Sequence, residues 1–512
     1  MALARSFAVS LLGLDATKIL IEADISASLP AFILVGLPDA SLSEAPARVR
    51  AACKNSGLDL PARKITVNLS PASVPKHGSS FDLGIAVAVL AAAGLISAVK
   101  AQRPLHIGEL ALDGSLRAIR GVIPMVASAK RAGFTQVIVP SGNRDEAALV
   151  EGIEIVAFDH LSQVAIFHGA EIEPREGVAS EVTVATSRKL EVACFSEVQG
   201  QELAVQAAVV AAVGGHHLSL IGAPGCGKTM IAQRIPTILP PLTEEEALNL
   251  AAMKSLATGE RDSELQRQAP FVAPHHSASM VALVGGGSGV PKPGLISRAS
   301  GGLLFLDEAP EFSVKTLDAL RQPLESGEIS LARANYSIRY PAKVQLALAA
   351  NPCPCGMAAT TGICQCTEVQ KVRYLGRISG PLLDRIDIQL RLNPIKPSRW
   401  LKAAEAANTS RQLAERVLHA RKLSGARLAD TPWTKNAEVP GSYIRKHLRP
   451  ESSASALIDR ALSRGQLSMR GYDKCLRLAW SVADLEARVS PNRDDIDFAL
   501  WLRGIGASQK AV

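Results

Sequence analysis

Hydrophobic and polar positions divide the 512-residue chain into segments with different periodicities. Residues 1–170 alternate short apolar runs with alanine-rich stretches, and turn residues separate the two. The runs 31–35, 65–69 and 136–139 are typical of strands. The pattern over 1–170 predicts a domain that contains both strands and helices.

The rest of the chain changes character twice. The polar stretch 171–189 predicts a linker. Residues 190–395 alternate strands, loops and helices, which is typical of an α/β domain with a parallel sheet. From 396 to 512 the apolar positions recur every three or four residues, as in 411–422, and predict a helical domain.

The composition is that of a protein with large buried cores. Hydrophobic residues make up 47% of the chain and aromatic residues only 4%, so aliphatic side chains must fill these cores. No run reaches the roughly 18 apolar residues that a membrane span requires. The richest stretch, 83–99, is interrupted by Gly84 and Gly94 and predicts a buried helix. Because no convincing cleavage site follows the apolar N-terminus, we expect a cytoplasmic protein without a membrane partner.

Positive charge is concentrated towards the C-terminus. The net charge is +8, and residues 396–512 contain 21 Lys and Arg against 12 Asp and Glu. The rest of the chain is therefore close to neutral. Basic surfaces attract polyanions, because each neutralised phosphate releases a counterion. The segment predicts either a nucleic-acid-binding surface or a solvated helical surface, and charge alone does not separate the two.

The strongest chemical signal is a glycine-rich loop that follows an apolar strand at 217–221. The loop matches the pattern GxxxxGK[ST], and an apolar helical stretch follows it. Its glycines allow backbone N–H groups to point at a phosphate, and a helix N-terminus favours the same anion. In this pattern the lysine neutralises the β- and γ-phosphates of ATP, and the threonine binds Mg²⁺. The predicted nucleotide-binding residues are Gly222, Pro224, Gly225, Cys226, Gly227, Lys228 and Thr229.

Two further apolar strands end in polar residues that suit the same site. The run 302–306 is followed by Asp307 and Glu308. We expect Asp307 to hold Mg²⁺ and Glu308 to polarise the attacking water. The run 344–350 ends at Asn351, whose amide is suited to orient that water. The alternative is an ordinary turn residue before proline.

Three longer stretches resemble the YifB/ComM family of magnesium-chelatase-like proteins. They are APHHSASMVALVGGGSGVPKPGLISRASGGLLFLDEAPEF (273–312), LAANPCPCG (348–356) and RISGPLLDRIDI (377–388). The resemblance covers nearly the whole chain. It implies an α/β AAA+ P-loop ATPase core with a helix-2 insert and a C-terminal helical lid. It also implies a homo-hexameric ring, for which ATP or DNA is a candidate inducer.

The same resemblance implies roles for two arginines. Arg385, in LLDRID, is similar to the arginine finger that reaches the γ-phosphate in a neighbouring subunit. Arg470, in SMRGYD, resembles the sensor-2 arginine of the lid. An arginine beside an aspartate also forms ordinary surface ion pairs. The family pattern, rather than the chemistry alone, favours the catalytic roles.

Contacts with nucleic acid are predicted around a hairpin. Residues 328–340 alternate around a central Ala-Asn and predict two antiparallel strands. They correspond to the pre-sensor-1 hairpin of helicase relatives. We expect Arg333 and Arg339 on the hairpin, together with Lys292 in the preceding glycine-rich insert, to contact phosphates of single-stranded or branched DNA.

Half of the eight cysteines lie close together in the sequence. They are Cys353, Cys355, Cys364 and Cys366. Four thiols on one loop can form the tetrahedral site that zinc prefers, although the CxC spacing is tighter than the usual CxxC. A structural zinc site is one interpretation. Reduced structural cysteines and an opportunistic disulfide are the others.

The N-terminal segment resembles the Lon-protease-like fold of the ribosomal S5 domain 2 type. The matching stretches are 75–86 and 106–140. In Lon a lysine activates the catalytic serine. Ser80 occupies the serine position, but Ile123 occupies the lysine position, and Lys130 falls on the following helix. We therefore expect a non-catalytic scaffold or nucleic-acid platform.

Four functions compete for this chain. The first is a hexameric DNA motor, a helicase or branch-migration factor of natural transformation and recombination, with ATP and Mg²⁺ as cofactors. The second is a nucleotide-dependent protein remodeller. Metal insertion of the magnesium-chelatase type is disfavoured because we find no metal-binding DxSxS loop. ATP-dependent proteolysis is disfavoured by the missing dyad lysine. The basic C-terminal segment and the arginine-bearing hairpin favour the DNA motor.

Overall fold

The structure is a computed structural model that describes residues 3–36, 39–178, 193–287, 289–333, 336–357, 364–394 and 408–505. Three sequence predictions fall partly outside these residues. They are the second half of the linker, the start of the C-terminal helical segment near residue 396, and the Ala-Asn turn of the hairpin.

The N-terminal segment combines two main sheets with helices. Its strands are β1 (Ala4–Leu12), β2 (Asp15–Ser26), β3 (Ala31–Val35), β4 (Lys64–Ser70), β5 (Leu105–His106), β6 (Glu109–Leu110), β7 (Leu116–Arg117), β8 (Gln136–Pro140) and β9 (Glu154–Phe158). Its α-helices are α1 (Ala40–Ser43), α2 (Ala45–Asn55), α3 (Asp82–Ala92), α4 (Ala98–Ala101), α5 (Val122–Arg131), α6 (Arg144–Ala148) and α7 (Leu161–Phe167). The segment contains both strands and helices, as its pattern predicts.

The larger N-terminal sheet has the strand order β1-β2-β4-β3, and a second, parallel sheet has the order β5-β8-β9. Alternate residues of β2, such as Ile19 and Ile21, are buried together with α3 in one core. Every residue of α3 is buried. The predicted helix at 83–99 is shorter than expected. It ends at Ala92 because Gly94 adopts a left-handed φ of 75°, a common way to stop a helix.

The central segment contains the expected alternation of strands and helices. Its strands are β10 (Leu218–Gly222), β11 (Phe271–Val272), β12 (Gly285–Gly286), β13 (Lys292–Pro293), β14 (Leu303–Leu306), β15 (Glu328–Ala332), β16 (Ser337–Pro341), β17 (Gln345–Ala350) and β18 (Ile388–Leu392). Its α-helices are α8 (Glu202–Gly214), α9 (Lys228–Arg234), α10 (Glu244–Thr258), α11 (Met280–Val284), α12 (Leu295–Arg298), α13 (Val314–Asp318), α14 (Arg321–Ser326), α15 (Glu368–Leu375) and α16 (Gly380–Leu383).

Five of these strands form a parallel sheet in the order β11-β14-β17-β10-β18. β14 and β17 are buried at every position, as expected for strands that are covered on both faces. The carboxyl ends of parallel strands meet at one edge of a sheet, where ligands of α/β proteins bind. The loops after β10, β14 and β17 therefore lie together.

The C-terminal segment is helical, as its periodicity predicts. Its α-helices are α17 (Ser410–Arg427), α18 (Gly441–His447), α19 (Ser452–Ser463), α20 (Met469–Leu485) and α21 (Arg493–Leu502). Their apolar side chains share one core with α8 and with strands of the parallel sheet. The C-terminal helices are thus packed onto the central segment rather than separated from it.

Helix α10 joins the central and N-terminal segments, a contact that the sequence did not indicate. Ala251 and Ala252 of α10 are buried in the same core as α5. The Ser255 hydroxyl accepts a hydrogen bond from the backbone N–H of Gly121 at 3.0 Å. A second contact brings the rings of His77 and Tyr336 to 5.7 Å between centroids.

Candidate nucleotide-binding site

The glycine-rich loop connects β10 to α9. Gly225 and Gly227 have φ of 79° and 85°, values in the left-handed region that favour glycine. Lys228 is buried, and its Nζ donates to the carbonyls of Gly222 at 2.7 Å and Ala223 at 3.0 Å. Burial lowers the pKa of Lys228. The lysine is thus held inside the curve of the loop, where it can meet a phosphate. Pro224, Gly225 and Thr229 are exposed, and Cys226 is buried beneath them.

The two acidic residues follow β14, as predicted. The Thr229 hydroxyl donates to Asp307 Oδ2 at 2.8 Å, so the two oxygen ligands expected for Mg²⁺ are in contact. Glu308 is exposed and has a left-handed φ of 50°, an uncommon conformation for a residue other than glycine. Such conformations cluster at functional sites. Glu308 Oε2 also lies 3.5 Å from Nδ1 of His276.

Asn351 follows the neighbouring strand, β17, and joins the same group. Its Oδ1 accepts a hydrogen bond from Lys228 Nζ at 3.1 Å. The structure therefore brings Lys228, Thr229, Asp307 and Asn351 together from three separate motifs. His276 was not among the predicted site residues. Its only sequence signal is its place in the Gly/His-rich insert.

The structure does not bring the two predicted catalytic arginines to this group within one subunit. Arg385 is largely buried, forms an ion pair with Glu325, and donates to the Pro381 carbonyl at 2.7 Å. Arg470 is exposed and forms an ion pair with Asp384, the residue before Arg385. Both arginines thus have acidic partners close to one another, which the sequence did not identify in advance.

The predicted hairpin is present as the antiparallel pair β15 and β16. Arg333 donates to the Gly287 carbonyl at 2.9 Å, and Tyr336 donates to the Gly289 carbonyl at 3.0 Å. These bonds fasten the hairpin to the glycine-rich insert that carries Lys292. Lys292 and Arg339 are both exposed, and Arg339 lies 3.9 Å from Glu328.

The four clustered cysteines come together in space. Their Sγ atoms all lie within 4.8 Å of one another. Cys353 Sγ is 3.3 Å from that of Cys355 and 3.8 Å from that of Cys364, so none of these pairs is a disulfide. A tetrahedral zinc ion with bonds of about 2.3 Å places its sulfur ligands about 3.8 Å apart. The thiols fit such an ion. Residues 358–363 of the intervening loop lie outside the described residues.

The comparisons with known proteins cover this chain from end to end. Models of magnesium chelatase subunit ChlI match residues 21–143 and 194–400, and a model of its C-terminal part matches 407–503. An uncharacterized protein of Mycobacterium tuberculosis is 46% identical over 99% of this chain and 100% of its own length. The uncharacterized protein YifB of Escherichia coli is 41% identical over 96% of each chain. The competence protein ComM of Haemophilus influenzae is 40% identical over 95% of this chain and 94% of its own.

The chain belongs to the YifB/ComM family. This assignment confirms the resemblance that the sequence motifs indicate. The family is magnesium-chelatase-like and of the AAA+ type, with a parallel sheet and a helical C-terminus. Its members are suited to ATP and Mg²⁺, which agrees with the residues gathered around Lys228.

The N-terminal segment of this family member has no serine–lysine pair at the predicted place. Ile123 is buried in α5. Lys130 lies on the same helix and donates from Nζ to the Glu151 carbonyl at 2.7 Å. The Ser80 carbonyl accepts from the N–H of Gly108 at 3.1 Å. Among the described residues, no helix is both long and apolar enough to cross a membrane.

Proposed function

We propose that this chain is an ATP-hydrolysing motor that acts on DNA as a homo-hexameric ring. The observation that carries the proposal is the meeting of Lys228 and Thr229, after β10, with Asp307, after β14. Asn351, after the intervening strand β17, is bonded to the lysine. A phosphate-binding loop, a pair of oxygen ligands for a cation and a polar amide are the parts that phosphoryl transfer needs.

Each residue has a step in hydrolysis. The backbone of the loop and the Lys228 ammonium bind the β- and γ-phosphates. Thr229 and Asp307 would hold Mg²⁺, which would supply positive charge beside the phosphates. Asn351 orients a water molecule, and Glu308 accepts its proton as the water oxygen attacks the γ-phosphorus and the bond to the ADP oxygen breaks.

A cavity lined by both apolar and charged side chains offers a place for the adenine base. It has a volume of about 490 Å³ and lies between α8 and the C-terminal helices, with Phe195, Val198 and Phe498 in its wall. Gln201, one residue before the cavity-lining Glu202, donates to the Cys226 carbonyl at 3.2 Å. The cavity thus begins beside the phosphate loop, and burial of an aromatic base against apolar walls favours binding.

The ring supplies what one subunit lacks. Within one subunit, Arg385 pairs with Glu325, an exposed acid that a neighbouring phosphate can replace. An arginine finger stabilises negative charge on the phosphoryl group in transit. We propose that Arg385 serves the ATP of the next subunit and that Arg470 assists from the lid.

DNA is the proposed substrate for three reasons. The hairpin and the insert carry Lys292, Arg333 and Arg339 on one connected structure. The C-terminal helices are strongly basic. The relative from Haemophilus influenzae bears the name competence protein, which fits a helicase or branch-migration factor that integrates single-stranded DNA during natural transformation. The alternative is a protein remodeller, whose pore residues grip a peptide instead.

Steady-state ATPase rates with single-stranded, forked and no DNA test the proposal. We expect DNA to stimulate hydrolysis at least several-fold, and we expect Lys228→Ala to abolish it. Arg385→Ala should remove activity but leave nucleotide bound, because it acts in the neighbour's site. Loss of positive charge at Arg333 and Lys292 should remove DNA stimulation without changing the basal rate. An ATPase that ignores every DNA form would favour the protein remodeller.

We also propose a structural zinc ion at Cys353, Cys355, Cys364 and Cys366. Gly356 in this loop lies against Pro224 of the phosphate loop, where an added Cβ would come within 2.9 Å of the proline ring. The ion would therefore fix a loop that supports both Pro224 and Asn351. Protein purified without a metal-affinity column should contain one zinc per chain, and Cys355→Ser should release it. Protein that contains no zinc would instead favour reduced structural cysteines.

The N-terminal segment completes the proposal as a Lon-protease-like scaffold without protease chemistry. Neither the serine-activating base nor a substitute from Lys130 is available at Ser80. Proteolysis and metal insertion therefore remain the less supported alternatives. The contacts of this segment with α10 and Tyr336 suit a platform that holds the ATPase core and the hairpin.

A further inference from the structure

The backbone around Arg385 is held by the C-terminal helices of the same chain. Lys474, in the second turn of α20, is almost completely buried. Its Nζ donates to the carbonyl of Asp384 at 2.5 Å and to that of Ile386 at 3.1 Å, and lies 3.2 Å from Asp387 Oδ1. One ammonium group therefore binds the residues on both sides of Arg385. We call residues 384–387 the finger segment.

A second cation from the next helix supports the same segment. Arg503, at the end of α21, donates from one guanidinium nitrogen to the Ile386 carbonyl at 3.0 Å and to the Asp387 carbonyl at 2.9 Å. Arg470 adds an ion pair with the Asp384 side chain. The finger segment thus receives three cations from α20 and α21.

The same segment is anchored to the strand that leads into the phosphate loop. The backbone N–H of Asp387 donates to the His217 carbonyl at 3.1 Å, just before β10. Asp387 Oδ2 lies 3.3 Å from Nδ1 of His216. Burial opposes ionisation of Asp387, but the hydrogen bond with His216 and the charge of Lys474 outweigh it and keep the pKa of Asp387 well below its usual range. The anchor therefore includes a buried, ionised carboxylate next to the Lys474 ammonium.

The three cations hold the finger segment but not the Arg385 side chain, which donates to the Pro381 carbonyl at 2.7 Å and pairs with Glu325. Glu325, the partner of Arg385, is half exposed. Among the described residues, no acceptor bonds the buried Nε of Arg385. The backbone is thus rigid where the guanidinium must be free to exchange partners. A displacement of about 1 Å in a catalytic group can cost about 10²-fold in rate.

We infer that Lys474 is a positioning residue for the arginine finger, through which α20 sets where Arg385 enters the ATP site of the next subunit. This inference rests on the proposed function, because it needs Arg385 to act in a neighbouring site. Lys474 touches neither the nucleotide nor the reacting atoms. Its role is carried entirely by the carbonyls of Asp384 and Ile386 and by the Asp387 carboxylate.

Lys474→Met is the direct test. We expect the ATPase rate to fall about 10²-fold, while the affinity for a fluorescent ATP analogue stays at the wild-type value. The matched control is Lys435→Met, which removes another C-terminal lysine whose ion-pair partner, Glu438, lies outside the finger segment. The control should keep its ATPase rate. If Lys474→Met does not fold, Arg503→Gln replaces it in the test. This variant removes the second cation from a partly exposed position and should show a smaller loss of ATPase rate.

Mixed rings separate positioning of the finger from damage to the variant's own site. Glu308→Gln inactivates its own site but keeps a sound finger. Lys474→Met keeps its own site and loses the finger. Mixing the two inactive proteins should restore ATPase activity, since the finger of one completes the site of the other. Arg385→Ala mixed with Glu308→Gln is the positive control.

Each outcome has one meaning. Restoration in both mixtures supports the inference. Restoration with Arg385→Ala but not with Lys474→Met or Arg503→Gln overturns it and leaves the proposed function intact. Restoration in neither mixture contradicts a finger that acts between subunits, and the inference then falls together with that part of the proposed function.

Discussion

Lys228 at the start of α9 and Lys76 in the loop before α3 are both buried lysines, and burial lowers the pKa of each. Their surroundings differ. Lys228 lies beneath exposed loop residues and beside Asn351, close to oxygen ligands that face open space. Lys76 is completely buried and donates to the Pro71 carbonyl at 2.5 Å.

The neighbours of the two lysines extend this contrast. Near Lys76, the Ser79 hydroxyl donates to Glu109, and Asp82 at the start of α3 forms a two-fold bond with Arg48. Near Lys228, Glu308 is exposed and held in an uncommon backbone conformation. The N-terminal loop uses its polar groups to hold the fold together, whereas the phosphate loop keeps them available for a ligand. Changes in the first should affect stability, and changes in the second should affect activity.

The largest effect is expected at Glu308. Glu308→Gln keeps the size of the side chain but removes the base, so the ATPase rate should fall about 10²–10⁴-fold. Nucleotide affinity and melting temperature should change little, because the side chain is exposed and is not part of the phosphate loop. Glu311→Gln, three residues later and also an exposed acid, is the control and should keep most of its activity. Equal losses of ATPase rate in both variants would show that negative charge near the site, rather than a base at Glu308, is required.

At Arg48 we expect a smaller effect, which falls on the free energy of unfolding rather than on the ATPase rate. Arg48→Met leaves Asp82 buried without its bidentate partner, bonded at 2.7 and 3.0 Å. Removing one member of a buried ion pair costs about 3–5 kcal/mol of the free energy of unfolding. The ATPase rate of the folded fraction should remain at the wild-type value. Denaturant titration measures the loss.

The control for Arg48 is a surface pair of the same segment. Arg5→Met breaks the bond to Glu22 at 3.1 Å, but Arg5 is half exposed, so the expected loss is at most about 1 kcal/mol. Adding Asp82→Asn to Arg48→Met should recover part of the stability, since no buried charge then remains. A fall in ATPase rate that exceeds the fall in folded protein would contradict the separation of the two regions.

Local sequence signals were enough to predict the strands and loops that meet at the candidate nucleotide-binding site. Alternation of apolar and polar residues predicts the strands 65–69 and 344–350 and the hairpin 328–340. Glycine spacing predicts the loop before Lys228. Their meeting at one sheet edge also follows from the sequence, because parallel strands align their carboxyl ends. The four cysteines were identified by spacing alone and do come together.

Long-range partners could not be predicted in the same way. Glu325 pairs with Arg385 across 60 positions, and Lys474 reaches the carbonyls of Asp384 and Ile386 from a different helix. Carbonyl acceptors leave no trace in the residue type, so no pattern marks them. The packing of α10 on α5 could not be predicted from the sequence either, because Ala251 and Ala252 suit any buried helix face.

The smallest effect is expected at Ser80, and it tests the comparison at its most sensitive point. If the N-terminal loop only supports the fold, Ser80→Ala should leave the ATPase rate, its stimulation by DNA and any peptidase background within error of the wild type. The reason is that Ile123 stands where an activating lysine would be needed, and Lys130 is bonded to the Glu151 carbonyl instead.

Ser79→Ala is the matched variant, and should lose some stability because the Ser79 hydroxyl is bonded to Glu109. A casein-degradation assay with ATP measures peptidase activity directly. Activity that Ser80→Ala abolishes and Ser79→Ala retains would show that this loop, like the phosphate loop, keeps a polar group free for chemistry.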